Sequence, residues 1–132
     1  RMAYKGELMQ DHGCVRLTLE GPMTRTELEL ALYETFAKLE RKSWNKILLD
    51  VMRIEGTLSM TELFVFVCLS GERRKIDLHI AVLARREQLR VIEIIQDVEK
   101  DRGIELRGFS DQDAAFTWLC RDQGISSESL TP

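Results

Sequence analysis

The sequence predicts a single α/β domain with a mostly parallel sheet, in the order ββαβαβαβα. Short apolar runs of strand composition alternate with segments of helical periodicity along most of the chain. Capping boxes (Thr24-x-x-Glu27 and Ser59-x-x-Glu62) and glycines (Gly71, Gly103) stand where helices should begin and end. The last third, from Ile80 to Leu119, reads strand, helix, strand, helix without interruption. Helices of this length between strands imply right-handed crossovers.

Taken in order, residues 4–9 and 14–20 are expected as two short strands around Gln10-Asp11-His12-Gly13, which suits a tight hairpin needing positive φ. In the second, Val15, Leu17 and Leu19 alternate with Arg16, Thr18 and Glu20, the period of a half-buried strand, and Gly21-Pro22 ends it. This hairpin supplies an antiparallel edge. The helix after Thr24 has Leu28, Leu32, Phe36 and Leu39 as its core stripe, with Arg41 and Lys42 against the negative end of its dipole. Lys46 to Val51 suits a central strand covered on both faces, with Asp50 at its end. Residues 59–70 carry mixed signals. Phe64-Val65-Phe66-Val67-Cys68-Leu69 has strand composition, but the Ser59 box, the shared face of Met60, Leu63, Phe64 and Val67, and Gly71 place a helix there. On it Val65, Phe66 and Leu69 fall off the main stripe. Asp77 to Ala84 is the next strand, and a helix from about Glu87 to Lys100 turns Val91, Ile92, Ile95 and Val98 inward. Ile104 to Phe109 is the last strand. Ser110-x-x-Asp113 opens a final helix that buries Ala114, Ala115, Trp118 and Leu119. The domain is expected over residues 1–122, with 123–132 as a polar tail.

Composition narrows the function classes. With 44% hydrophobic and 31% charged residues the chain can bury a core. A net charge of -3 is not the strong basic excess of a dedicated nucleic-acid binder. Arg73-Arg74-Lys75 and Arg85-Arg86 read as solvated ends of elements, with a docking patch for an acidic partner as the alternative. The longest apolar run, Phe64 to Leu69, is too short to span a bilayer, so no membrane insertion is expected. No charged-then-apolar leader opens the sequence, which makes the cytoplasm the expected location. Cys14, Cys68 and Cys120 are widely spaced, with neither a disulfide framework nor a zinc motif, and Cys68 reads as a small buried hydrophobe. His12 and His79 are too isolated in sequence to nominate a metal site, and no dinucleotide or P-loop fingerprint implies a cofactor.

Several stretches together resemble the SpoIIAA-like group of small domains, which includes the STAS domains of bacterial anti-sigma factor antagonists and of sulfate-transporter tails. They are Ile47-Leu48-Leu49-Asp50, the Gly56-Thr57 turn, Leu78-His79-Ile80-Ala81-Val82, and Arg107-x-Phe109-Ser110-Asp111 with Ala114-Ala115-Phe116-Thr117-Trp118-Leu119. The resemblance covers most of residues 4–120 and is nearest the bacterial SpoIIAA-like proteins of unassigned activity. It implies a non-enzymatic regulatory module that binds a protein partner. In the antagonist branch a serine at the start of the helix after the central strand is phosphorylated, and Ser59 falls near that place. Where antagonists carry an Asp-Ser-Ser-Gly-like stretch, this chain has Glu55-Gly56-Thr57-Leu58-Ser59. Ser59 therefore has two readings: a helix cap paired with Glu62, or, with Thr57, a phosphorylation switch at a helix N-terminus.

The candidate partner-binding or switch residues are Glu55, Gly56, Thr57, Ser59, Glu62 and Phe66, with Phe66 as an anchor. The apolar surplus at Val65, Phe66 and Leu69 suits a docking patch, a seam between two copies of the chain, or a face covered by the Thr24 helix. No catalytic residues emerge: Asp50 and Glu55 lie near a strand end, but no His, Lys or Cys is placed to join them. The alternative function is carriage or sensing of a small apolar ligand. The fold group resembles the Sec14-like lipid-transfer domains, and Met60, Phe64 and Phe66 suit a cavity lining.

Overall fold

A computed structural model of the protein describes residues 3–55, 77–100 and 104–121. Among these, five strands and three helices follow one another as β1 (Tyr4–Met9), β2 (Cys14–Pro22), α1 (Arg25–Lys42), β3 (Lys46–Glu55), β4 (Leu78–Leu83), α2 (Arg86–Lys100), β5 (Ile104–Phe109) and α3 (Gln112–Leu119). The strands lie side by side in sequence order, β1 antiparallel to β2 and every later pair parallel. This is the α/β sheet with an antiparallel edge hairpin that the sequence predicts. The helix expected over 59–70, the basic run at 73–75, Cys68 and the tail lie outside the described residues.

Each new strand is added on the same side of the last, so right-handed crossovers place α1 and α2 on one face. The strand pleat then sorts the side chains. Val15, Leu17, Leu19, Ile47, Leu49, Val51, Leu78, Ile80 and Val82 meet Leu28, Leu32, Phe36 and Leu39 of α1 and Ile92 of α2 in the main core. On the opposite face Cys14, Leu48, Ala81 and Leu83 meet Ala115 and Leu119 of α3. Every residue of β4 is buried, as befits a strand covered on both sides. Burial of each large aliphatic side chain contributes about 1.5–3 kcal/mol.

Local chemistry starts and stops these elements as expected at several points. Gly13 supplies the positive φ (62°) of the β1–β2 turn. At α1 the Glu27 N–H donates to Thr24 Oγ1 (3.1 Å) and the Thr24 N–H donates to Glu27 Oε1 (2.8 Å), the reciprocal capping box. Ser43, in the left-handed region at φ 57°, closes the helix.

Other expectations are corrected. β2 does not stop before Gly21-Pro22: both pair with Ile54 and Glu55, because β3 itself runs past Val51 to Glu55. Pro22 is tolerated as the last residue of its strand. In α2, Val91 is exposed, while Leu89, Ile92 and Ile95 face the core. In α3 the cap is Asp111 rather than Ser110; its carboxylate accepts the Ala114 N–H at 3.0 Å. A helix of eight residues then buries one i, i+4 pair, Ala115 and Leu119. Ala114 is left exposed, and Trp118 is half-buried rather than buried.

Close approach of α2 to β5 requires Gly108. A Cβ there would stand 2.9 Å from Leu89 Cδ2 and 3.0 Å from Ile92 Cγ2. Gly108→Ala is expected to push α2 from the sheet and cost about 1–3 kcal/mol, measured by urea denaturation. An unchanged midpoint would show that this contact yields without strain.

Candidate functional site

The register between β2 and β3 breaks once. Thr18 faces Asp50, but Glu20 faces Arg53, so β3 carries one extra residue over Val51-Met52. Such a bulge leaves backbone groups outside the ladder, and three side chains take them. The Met52 N–H donates to Asp50 Oδ1 (3.1 Å), Val51 C=O accepts from Gln88 Nε2 (3.1 Å), and Met52 C=O accepts from the Arg85 guanidinium. Gln88, 8% exposed, also receives the Arg85 N–H on Oε1 at 2.7 Å. Arg85 Nε donates to Glu87 (2.8 Å), and that bond holds the exposed Glu87 carboxyl below its ordinary range. Arg85 is therefore not the solvated helix end expected of it. The short β4–α2 connection brings it onto the bulge.

Asp50 is gripped a second time. Arg16 Nη2 stands 2.9 Å from Asp50 Oδ2, with the two side chains 18% and 13% exposed. Arg16 Nη1 donates to Gln112 Oε1 at 2.8 Å, tying β2 and β3 to the first residue of α3. Asp50 thus lies within β3, not at its end, because the strand continues beyond the bulge. Above this pair a cleft of about 920 Å³ opens over the part of the sheet that α3 leaves bare; Tyr4, Arg16, Glu20, Met52, Arg53 and Asp111 are among its walls. It lies toward the carboxyl ends of the parallel strands, where open α/β sheets gather their ligands. Its walls are charged.

Of the candidates from the sequence, Glu55 is the exposed last residue of β3, opposite Pro22. Gly56, Thr57, Ser59, Glu62 and Phe66 lie outside the described residues, as do Met60 and Phe64. Sequence reasoning passes over Arg16, Arg53 and Gln88, and offers Arg85 only as part of a basic pair. The available signal is Asp50 itself: a carboxylate between Leu49 and Val51 in a buried strand calls for a cation on a neighbouring strand.

At the other end of the sheet His79 is 7% exposed, with Nδ1 2.8 Å from Glu105 Oε1 and Nε2 3.7 Å from Asp77. Arg121 bonds Glu105 and the Trp118 carbonyl (2.8 Å) and lies over the Trp118 ring at 4.3 Å, fastening the end of α3 to β5. A cleft of about 410 Å³ borders this network. The fold also brings two of the distant cysteines close. Cys120 Sγ donates to the His12 carbonyl at 3.8 Å, and the His12 ring stacks on Phe116 at 4.1 Å. Burial, and then the nearby Cys120 thiol, push the Cys14 thiol up to about 12. Among the described residues no group of three His, Cys, Asp or Glu is placed to hold a metal ion. No described helix is long and apolar enough to cross a membrane.

Among the described residues the sheet order, the edge hairpin and the helix α3 on the second face define a SpoIIAA-like fold. A solved structure of an uncharacterized protein of the DUF3478 family from Shewanella loihica PV-4, described as having a SpoIIAA-like fold, matches with a TM-score of 0.63. The match covers 89% of this chain and 93% of that one at 19% identity, and so concerns the fold. No protein-family model and no curated protein matches the chain.

Gln88→Met preserves side-chain volume while stripping the bulge of one donor and α2 of one acceptor. The expected cost is about 1–3 kcal/mol for each buried group left unpaired, read from urea denaturation, with faster amide exchange at Arg85. A second prediction concerns pH. The folded value of Cys14 is raised above its ordinary 9.0, so the folded state keeps the proton longer than the unfolded chain. That contribution to stability is whole below about pH 9 and declines as pH rises toward about 12. Cys14→Ala should flatten the decline across that window in denaturation midpoints. An equally steep decline would assign it to other groups.

Proposed function

We infer that the protein is a non-enzymatic, regulatory interaction module of STAS-like type, which binds a protein partner through the carboxyl end of its sheet. The cleft beside the bulge supports this reading. Its half-buried ionisable groups, Arg16, Asp50 and Arg85, are engaged with one another, with Gln112 and with backbone, so they build a surface rather than offer a base or nucleophile. Charged walls favour a polar protein surface over a small apolar ligand as the occupant. Thr57 and Ser59 come shortly after β3 in the sequence, and phosphorylation of either would add about 1.5–2 negative charges there. The fold neighbour, itself uncharacterized, contributes no activity to the reading.

Partner capture tests it. Ser59→Asp should weaken capture while leaving the fold in place, and mass spectrometry of the protein from its own host should find a phosphate that survives denaturation at Thr57 or Ser59. Normal capture by Ser59→Asp would end the switch part of the reading. A small-molecule mass lost on denaturation would favour the carrier function instead.

A further inference from the structure

Two charged residues of the cleft stand apart from its network. Glu20 and Arg53 are register neighbours on β2 and β3, just beyond the bulge, and both are exposed. Opposite in sign, they nevertheless form no ion pair, and neither side chain has a bonding partner among the described residues. The surrounding charges are engaged: Lys5 with Glu7 (3.7 Å), Arg16 with Asp50 (2.9 Å), Arg85 with Glu87 (2.8 Å), and Asp111 as the cap of α3. The bulge is what turns Arg53 to this face. In an unbroken strand a residue three positions after Asp50 would point to the helical side; the extra residue reverses it and keeps Ile54 in the main core.

We propose that Glu20 and Arg53 are the recognition pair of a docking cleft for an extended polypeptide segment carrying an acidic and a basic side chain on one face, the acid against Arg53 and the base against Glu20. Met52, 37% exposed between them and Arg85, offers a seat for an apolar side chain of the same segment. The inference rests on the interaction-module reading and adds the chemistry of the partner. One unengaged cation beside one unengaged anion complements a segment of mixed sign. It disfavours both a polyanion and an apolar ligand. An extended segment presents its side chains to one face at every second residue, about 6.5–7 Å apart, a spacing that can serve charges on adjacent strands.

A phage-displayed random peptide library selected on the intact protein tests this, with the double variant Glu20→Arg/Arg53→Glu as the comparison. Both positions are exposed and have no bonding partner among the described residues, so the variant should keep its urea midpoint. Enriched peptides are expected to carry an acid and a base at alternate positions and to bind the variant roughly tenfold more weakly. Exchanging the acid and the base within the peptide should restore binding to the variant. No enrichment, or enrichment of purely acidic peptides, would overturn the assignment. Peptides that bind both forms equally would overturn it too, while leaving the interaction-module reading intact, since they would dock elsewhere.

Discussion

A buried strand cannot leave its amide groups unpaired, and the extra residue in β3 would do so in the middle of the sheet. Asp50, Arg85 and Gln88 prevent this by bonding the Val51 and Met52 backbone directly. Much else hangs on these bonds. Asp50 can hold the Met52 N–H and still receive Arg16, whose second arm reaches Gln112 and sets the start of α3. Gln88 holds the bulge and the first turn of α2 together, so the β4–α2 connection has little freedom to move independently of β3. One added residue thereby couples two strands, two helices and the β4–α2 connection.

The same residue divides the strand by function. Before it, β3 alternates regularly, with Ile47, Leu49 and Val51 in the main core. After it, Ile54 returns to that core while Arg53 turns to the opposite face. Retaining a bulge inside a sheet is costly in ladder hydrogen bonds, and bulges commonly serve to re-aim a side chain. Here the re-aimed side chain lies on the wall of the cleft above Asp50.

The two faces are covered unequally for a topological reason. Crossovers of one hand between strands added in one direction deliver their helices to a single face, and only a helix after the last strand can reach the other. α3 has eight residues and shields Leu48, Ala81 and Leu83. Away from α3 the second face carries polar rows such as Lys5 and Glu7 or Arg16, Thr18 and Glu20. Those rows are the material of a docking surface. The Arg16–Asp50 pair at their margin joins the surface to the core.

Hydrophobic period and capping chemistry made most of the fold legible. The α1 stripe, the Thr24 box, the Gly13 turn and the limits of β1 and β5 follow from local rules that each residue obeys with its near neighbours. The bulge obeys no such rule: Asp50-Val51-Met52-Arg53 contains no glycine or proline, and its extra length shows only against the register of β2. Arg85 and Gln88 read as ordinary helix-end residues until the β4–α2 connection sets them beside Met52. Cys14 and Cys120 are likewise remote in the chain and close in the fold. The sequence by itself determined which segments become strands and helices, and which side of each is apolar, because those depend on contacts a few residues apart. Tertiary structure alone decided the site, because its ion pair, its bulge bonds and its two unengaged charges exist only between strands whose register the local sequence does not encode.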